Sequence, residues 1–558
     1  MTQTLIIGID LGNSNCSLSY FTPGTSDTTT VPLEDGQIGI SPNILPSAVF
    51  FPSDGSEARV GTPARTALGK GLLFENFKGR LMEEAEPKAA TDGGLTKSPM
   101  DALTTLLRHL AKLAFSHGAL NPHFVLRQEQ YVPREPIYLT LGVPAQAPEH
   151  YKTRLRRACI ASGWVTEEQA AEYLSFVAEP VAVALNYPAG ERRQLFIYDH
   201  GGLTLDMVRI QLDQAQSPPY KVLAYKERVT CTLGGRSYDV GGSFLDRLLL
   251  RHILSRVGGV AALQSQIMEA YETEFETGPL EKLVQMEQDP LPSGAEAHVY
   301  AALRRDVERL RISLSSQDRD SARFSLTAGP IPVQTRIAVK KGDLDEAFSD
   351  VLQAIRQKLP VSVGADEFCF MVGGCSVTPS LRGLMKDAAF GTMRVLVPNA
   401  PMEAIARGLS RYYRTGITGA DGINLSTLPV DDSVDTDYGV WNDGMDRWDV
   451  VLPKGTAYSD TVLPKSISGD SKGIFQVYKP LTHATEISMR VGQRDAGGDW
   501  IELGERTVHL PSSTTNFRLY FSMDSQQQLE IRLFSSETKK LIRVAAPRFS
   551  TNPTQKEH

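Results

Sequence analysis

Two α/β lobes followed by an all-β C-terminal third is the fold class this sequence predicts, and three observations predict it. An Asp-x-Gly hairpin pattern occurs over Leu5–Tyr20 and again over Leu195–Ile210, strands lead into helices around both, and beyond about Thr415 short alternating stretches replace helical periodicity. At 558 residues and 61.2 kDa the chain is too long for one core. The predicted boundaries are lobe I at 1–190, lobe II at 191–415, a linker at 416–437, a β domain at 438–550 and a polar tail at 551–558.

The first hairpin is a strand, a Gly-Asn-Ser turn and a returning strand, because β-formers flank residues that tolerate unusual backbone angles. The second, LFIYDHGGLTLDMVRI, repeats that plan and looks like an internal duplication. Between them, Ile137–Pro144 reads as a buried strand and Pro148–Ser162 as a helix with a basic polar side. Lobe II carries a helix-rich insertion from Val240 to about Ser316, a strand at Glu367–Gly374, a helix opening at Pro379 and a last helix at Met402–Tyr413. The Asp-rich segment Asn424–Asp437 is the expected linker, and Phe475–Tyr478 and Phe517–Phe521 are typical of the strands beyond it.

A net charge of −7 without any basic run argues against a nucleic-acid partner. The five cysteines are scattered and never form Cys-x-x-Cys, which argues against a disulfide framework or a zinc site and favours a reducing compartment. The N-terminus lacks a signal-peptide pattern and no stretch of 18 apolar residues exists, so a cytoplasmic protein without a membrane segment is expected. A monomer is the expected assembly.

A phosphate chain needs backbone N–H donors at close range, and Gly12, Gly201 and Gly202 remove the Cβ obstruction where two turns meet that need. Asp10 and Asp199, one before each turn, can hold Mg²⁺ through its water shell. A third loop with Gly373 and Gly374 lies at a strand-to-helix junction where a base and ribose could rest on bare backbone. Either hairpin alone is an ordinary turn. The joint order of the three loops predicts ATP in a cleft between the lobes.

With these loops, the chain resembles the heat-shock-protein-70 family of DnaK-type chaperones, within the actin and hexokinase superfamily, over almost its whole length. Leu45–Phe51, Phe77-Lys78-Gly79-Arg80-Leu81, Gly142-Val143-Pro144-Ala145 and Ala178-Glu179-Pro180-Val181-Ala182 carry the likeness. It implies an actin-like (ribonuclease H-like) two-lobed ATPase domain and a C-terminal β-sandwich for peptide. It implies ATP or ADP with Mg²⁺, and K⁺ as an accessory ion. Lys78 would reach the γ-phosphate, Asp10, Asp199, Asp206 and Glu179 would organise Mg²⁺ and the attacking water, and Thr204 would bond near the γ-phosphate. The nucleotide would be lined by Asn13, Ser14, Asn15, Leu203, Gly241, Gly242 and Cys375. Pro144 would report nucleotide state to the helix beyond it.

Departures from the family pattern predict altered chemistry. Asn13 stands where a Thr is usual, Leu203 stands where a third glycine is usual and resists left-handed angles, and His200 replaces an apolar residue. Around ribose and adenine, Glu308, Arg311 and Ser315 match the pattern. Ile312 and Val377 replace two arginines that sandwich adenine, losing about 1 kcal/mol of cation–π attraction each.

In the C-terminal third, Val440, Trp441, Ile474 and Phe475 are the expected peptide pocket, without a helical lid over it. Pro429 is expected to limit strand pairing by the linker. The resemblance implies unfolded hydrophobic peptides, a J-domain co-chaperone and a nucleotide-exchange factor as partners. The leading expectation is an atypical ATP-dependent chaperone. The alternative is a nucleotide-sensing scaffold with one client, and a sugar kinase of the same superfamily fits the C-terminal third poorly.

Overall fold

A computed structural model describes the chain from Leu5 to Arg543, apart from 35–40, 187–192, 214–218, 257–293, 316–320, 327–332, 361–366, 388–393, 417–424, 457–473, 479–485, 510–515, 524–528, 536–540 and stretches of three residues or fewer. Mixed α/β sheets form its first two thirds. Ile6–Leu11 (β1) and Asn15–Phe21 (β2) pair antiparallel, with Leu11 opposite Cys16 across the turn. Every residue of β1 is buried, as suits a strand covered on both faces. Tyr138–Val143 (β3) lies parallel to β1, and Leu174–Ala178 (β4) parallel to β3.

The second sheet repeats this arrangement. Arg193–His200 (β5) and Leu205–Leu212 (β6) form the antiparallel hairpin, Tyr220–Arg228 (β7) continues beyond β6, and Glu367–Val372 (β8) and Arg394–Leu396 (β9) add in parallel on the β5 side. The orders β4-β3-β1-β2 and β9-β8-β5-β6 therefore correspond strand for strand. The repeat read in the two hairpins extends to whole sheets.

The helices that bear on the site are Phe77–Glu83 (α1), Pro99–Ser116 (α2), Glu149–Ala161 (α3), Glu179–Ala184 (α4), Gly242–Arg256 (α5), Gly294–Ser315 (α6) and Ala404–Leu409 (α7). The expected helix-rich insertion is met by α5 and α6, with 257–293 between them outside the described residues. A Ser98–Asp101 capping box and Pro99 start α2, whose Leu103, Leu106, Leu107 and Leu110 supply one apolar stripe to lobe I. No helix among the described residues is long and apolar enough to cross a membrane.

Helices α4 and α7 join the sheets, α4 packing on β5 and β6 and α7 on β1 and β3. Their close crossing requires Gly408, because a Cβ there would collide with the carbonyl oxygen of Ala182. Gly408→Ala is expected to destabilise the protein by about 3 kcal/mol. Gly383→Ala, whose Cβ meets nothing within 4 Å, is expected to leave the thermal midpoint unchanged or slightly raised.

The linker differs from expectation. Val430–Asp431 (β10) pairs parallel with Tyr220 and Lys221 of β7, extending the second sheet. Proline removes only its own donor, so the residues after Pro429 keep theirs; Pro429 itself lies outside the described residues. The acidic character of the segment is used internally, since buried Lys226 pairs with Asp432 at 3.2 Å and also with Asp435.

Beyond it, Tyr438–Asn442 (β11), Arg447–Leu452 (β12), Ile474–Tyr478 (β13), Glu486–Arg494 (β14), Trp500–His509 (β15), Asn516–Met523 (β16), Leu529–Ser535 (β17) and Leu541–Arg543 (β18) make two antiparallel sheets. Their orders are β12-β11-β14-β15 and β13-β16-β17-β18. Tyr438, Leu452 and Val491 of the first share an apolar cluster with Phe521 and Ile531 of the second.

Candidate functional site

The two hairpins and the third loop line one cavity of about 750 Å³ between the sheets, within the size range of a small-molecule site. Gly373 adopts φ +82, and a Cβ there would strike the carbonyl of His200, so the third loop folds onto the second only through glycine. Cys375 N–H donates to that same carbonyl at 3.1 Å. Gly12, Gly201, Gly202 and Leu203 do not take positive φ. The left-handed strain expected at Leu203 is therefore absent, and the glycines serve close approach instead, a Cβ at Gly202 meeting Ser14.

Backbone donors are left over at this junction. The N–H groups of Asn13 and Ser14, of Gly202 and Leu203, and of Gly374 have no acceptor among the described residues, and all five residues line the cavity. Such amides form an anion cradle.

Beside them stand buried charges. Lys78 on α1 meets Glu179 on α4 at 2.6 Å. Burial disfavours the Lys78 ammonium, but Glu179, Tyr151 and Asp10 together hold its pKa above the ordinary range. One oxygen each of Asp10, Asp199 and Asp206 is buried with no hydrogen-bond partner among the described residues. Burial pushes Asp10 up to about 8, with Glu179 adding and Lys78 opposing. Burial raises Asp206 to about 7 against the pull of Arg228, and burial with three neighbouring carboxylates holds Asp199 well above its usual range.

Buried carboxyls left without a partner are relieved either by protonation or by a cation. Asp10, Asp199 and Asp206 do not bring three ligand atoms within 4.8 Å of one another, so they do not form a direct three-carboxylate metal cage. A protonated carboxyl must ionise to meet a cation, so binding of a divalent cation in this cavity is expected to release protons near pH 7, and Asp10 and Asp206 should contribute less of that release at pH 9. Titration calorimetry in buffers of different ionisation enthalpy measures it; binding heat independent of buffer at pH 7 would contradict it.

Most of the expected residues converge on the cavity, among them Asp10, Lys78, Glu179, Asp199 and Thr204. Asn15, Gly242 and Glu308 line it too. Four features differ from expectation. Asp206 lies behind the lining, accepting from Thr204 Oγ1 at 2.8 Å. Gly241 faces Leu203, whose backbone leaves no room for a Cβ. Ser315 Oγ donates to its own helix at Arg311 O, 2.8 Å away. Arg311 lines the cavity but is committed to Asp246 at 2.6 Å.

Ile312 and Val377 line the wall as expected, and Ile312 is 49% exposed. His200 is fully buried off the cavity; burial, then Arg311, pushes it down to about 3, so it is a neutral core histidine. Sequence reasoning missed Arg65, Arg305 and Arg309. The last two share a face of α6 with Glu308 and Ile312 at helical spacing, a signal present in the sequence.

Two of the four expected peptide-pocket residues, Val440 and Trp441, face opposite ways. Val440 packs toward the shared core, whereas its neighbour Trp441 carries Arg490 at 4.9 Å over its ring and Trp448 at its edge. Adjacent strand residues point to opposite faces, so the two cannot line one pocket. Ile474 and Phe475 pair through their backbones with Tyr520 and Leu519; their side chains lie outside the described residues.

The β domain touches lobe I through α3. Glu149, buried at its first position, accepts from Leu529 N–H at 2.7 Å and from the Tyr438 hydroxyl at 3.4 Å. Gln146, at φ +59 just after Pro144, donates its N–H to Asp435 at 3.1 Å. No protein-family model matches this chain, and no curated protein matches it.

Proposed function

We propose that the cleft binds ATP as its Mg²⁺ complex, and that the chain is a divergent chaperone-type ATPase resembling the heat-shock-protein-70 family. In this reading two actin-like lobes precede a β-sandwich that binds extended peptide according to nucleotide state. The observation that carries it is the convergence of five unpartnered N–H groups from three loops with orphaned buried carboxylates behind them.

The loop amides would grip the phosphates, and Lys78 would neutralise charge that develops on transfer to water. Mg²⁺, when bound, would supply Lewis acidity at the phosphates, held by Asp10 and Asp199 with Asp206 behind them. Glu179, at 2.6 Å from Lys78, would orient it. A route to the β domain is also built in. Leu81 and Met82 at the end of α1, which bears Lys78, accept from Arg154 and His150 of α3, and α3 begins with Glu149.

Ile312 and Val377 favour weak nucleotide affinity, which keeps a second reading in play: a nucleotide-sensing scaffold with one client. Ile312→Arg, and separately Val377→Arg, are expected to tighten ATP binding about fivefold each, measured by calorimetry. Single-turnover ATP hydrolysis with and without an unfolded hydrophobic peptide tests the proposal. Stimulation by peptide supports the coupled chaperone, binding without hydrolysis supports the scaffold, and no nucleotide binding overturns both.

A further inference from the structure

Outside the cleft, the C-terminal end of α5 faces the helix Lys341–Ala347. His252 sits in the last turns of α5, while Asp343 and Glu346, one turn apart, share the facing side of the second helix. His252 Nε2 lies 3.8 Å from Asp343 Oδ1 and 4.0 Å from Glu346 Oε2, and all three ligand atoms fall within 4.8 Å of one another. His252 Nε2 is buried and has no hydrogen-bond partner among the described residues. A ring nitrogen shielded from water and left unbonded beside two carboxylates is an unfilled coordination position.

We propose that His252, Asp343 and Glu346 bind a divalent transition-metal ion of the zinc class, clamping α5 to the Lys341–Ala347 helix. One imidazole and two carboxylates make a borderline donor set that suits zinc, cobalt or manganese and disfavours Mg²⁺, which prefers oxygen alone. Tetrahedral ligand atoms at zinc bond lengths stand about 3.3 Å apart. The present separations need only a small contraction, and Glu346, 75% exposed, can supply it by a change of rotamer. Three protein ligands leave a fourth position for water.

The placement has a mechanical consequence. Helix α5 begins with Gly242 and Ser243, whose N–H groups bond the carbonyls of Gly201 and Gly202 at 3.0 and 2.9 Å. An ion at its far end would tether the helix that braces the second loop of the cleft.

Cobalt is the probe, because its visible absorption reports nitrogen and oxygen ligation while millimolar Mg²⁺ occupies any oxygen-only site. The intact chain is expected to bind one Co²⁺ with a visible band, displaced by Zn²⁺, and to gain thermal stability with Zn²⁺. His252→Ala should abolish the band, and Glu346→Gln, an exposed change that preserves folding, should weaken binding at least about 10-fold. Without added transition metal, both variants should bind MgATP as the parent does. A Co²⁺ band that survives His252→Ala, or a thermal midpoint indifferent to Zn²⁺, would overturn the site and leave a histidine beside two carboxylates.

Discussion

Lys78→Ala is expected to slow single-turnover ATP hydrolysis by on the order of 10²- to 10³-fold, the usual effect of removing a group that stabilises transition-state charge. The substitution also strands Glu179, which loses its 2.6 Å partner among other buried carboxylates. Breaking a buried pair from one side costs about 3–5 kcal/mol, so apo stability should fall too. The carboxylates respond in a defined direction. Lys78 lowers the pKa of both Asp10 and Asp199, so its removal raises them and increases proton release on Mg²⁺·nucleotide binding. A folded Lys78→Ala protein that hydrolyses ATP within threefold of the parent rate would remove Lys78 from the chemistry.

The second large effect concerns the contact between lobe I and the β domain. Glu149→Ala deletes the acceptor for Leu529 N–H and for the Tyr438 hydroxyl. A buried donor left without an acceptor costs about 1–3 kcal/mol, and two lose theirs here, so undocking of the β domain should become at least about 10-fold more favourable. Limited proteolysis reads this directly, since Val430–Asp435 is held between β7 and the turn after Pro144. The expected outcome is faster cleavage in that segment and loss of any peptide effect on ATP hydrolysis. Unchanged cleavage would mean that Lys226 with Asp432 and Asp435 holds the segment alone.

Much of this site is legible in the sequence because its parts are local. A strand, an Asp and a glycine turn sit within a few residues of each other, so the two hairpins reveal both the repeat and the cavity wall. What the sequence could not convey is orientation. Gly241 and Ser315 carry the right residue types at the right spacing, yet each turns to its own neighbourhood, Gly241 against Leu203 and Ser315 back onto Arg311.

The linker misled for a different reason. Its aspartates suggest a solvated segment, and only the fold brings Lys226 beside them. Val440 and Trp441 failed as a joint pocket because strand alternation separates neighbours, a rule the sequence itself could have enforced.

Hydrogen exchange with and without a non-hydrolysable MgATP analogue tests most directly whether three loops grip one phosphate chain. The N–H groups of Asn13, Ser14, Gly202, Leu203 and Gly374 should slow together on binding, by a common factor set by ligand occupancy. Protection confined to one loop, or unaltered exchange at all five under saturating analogue, would contradict a nucleotide held where the loops meet.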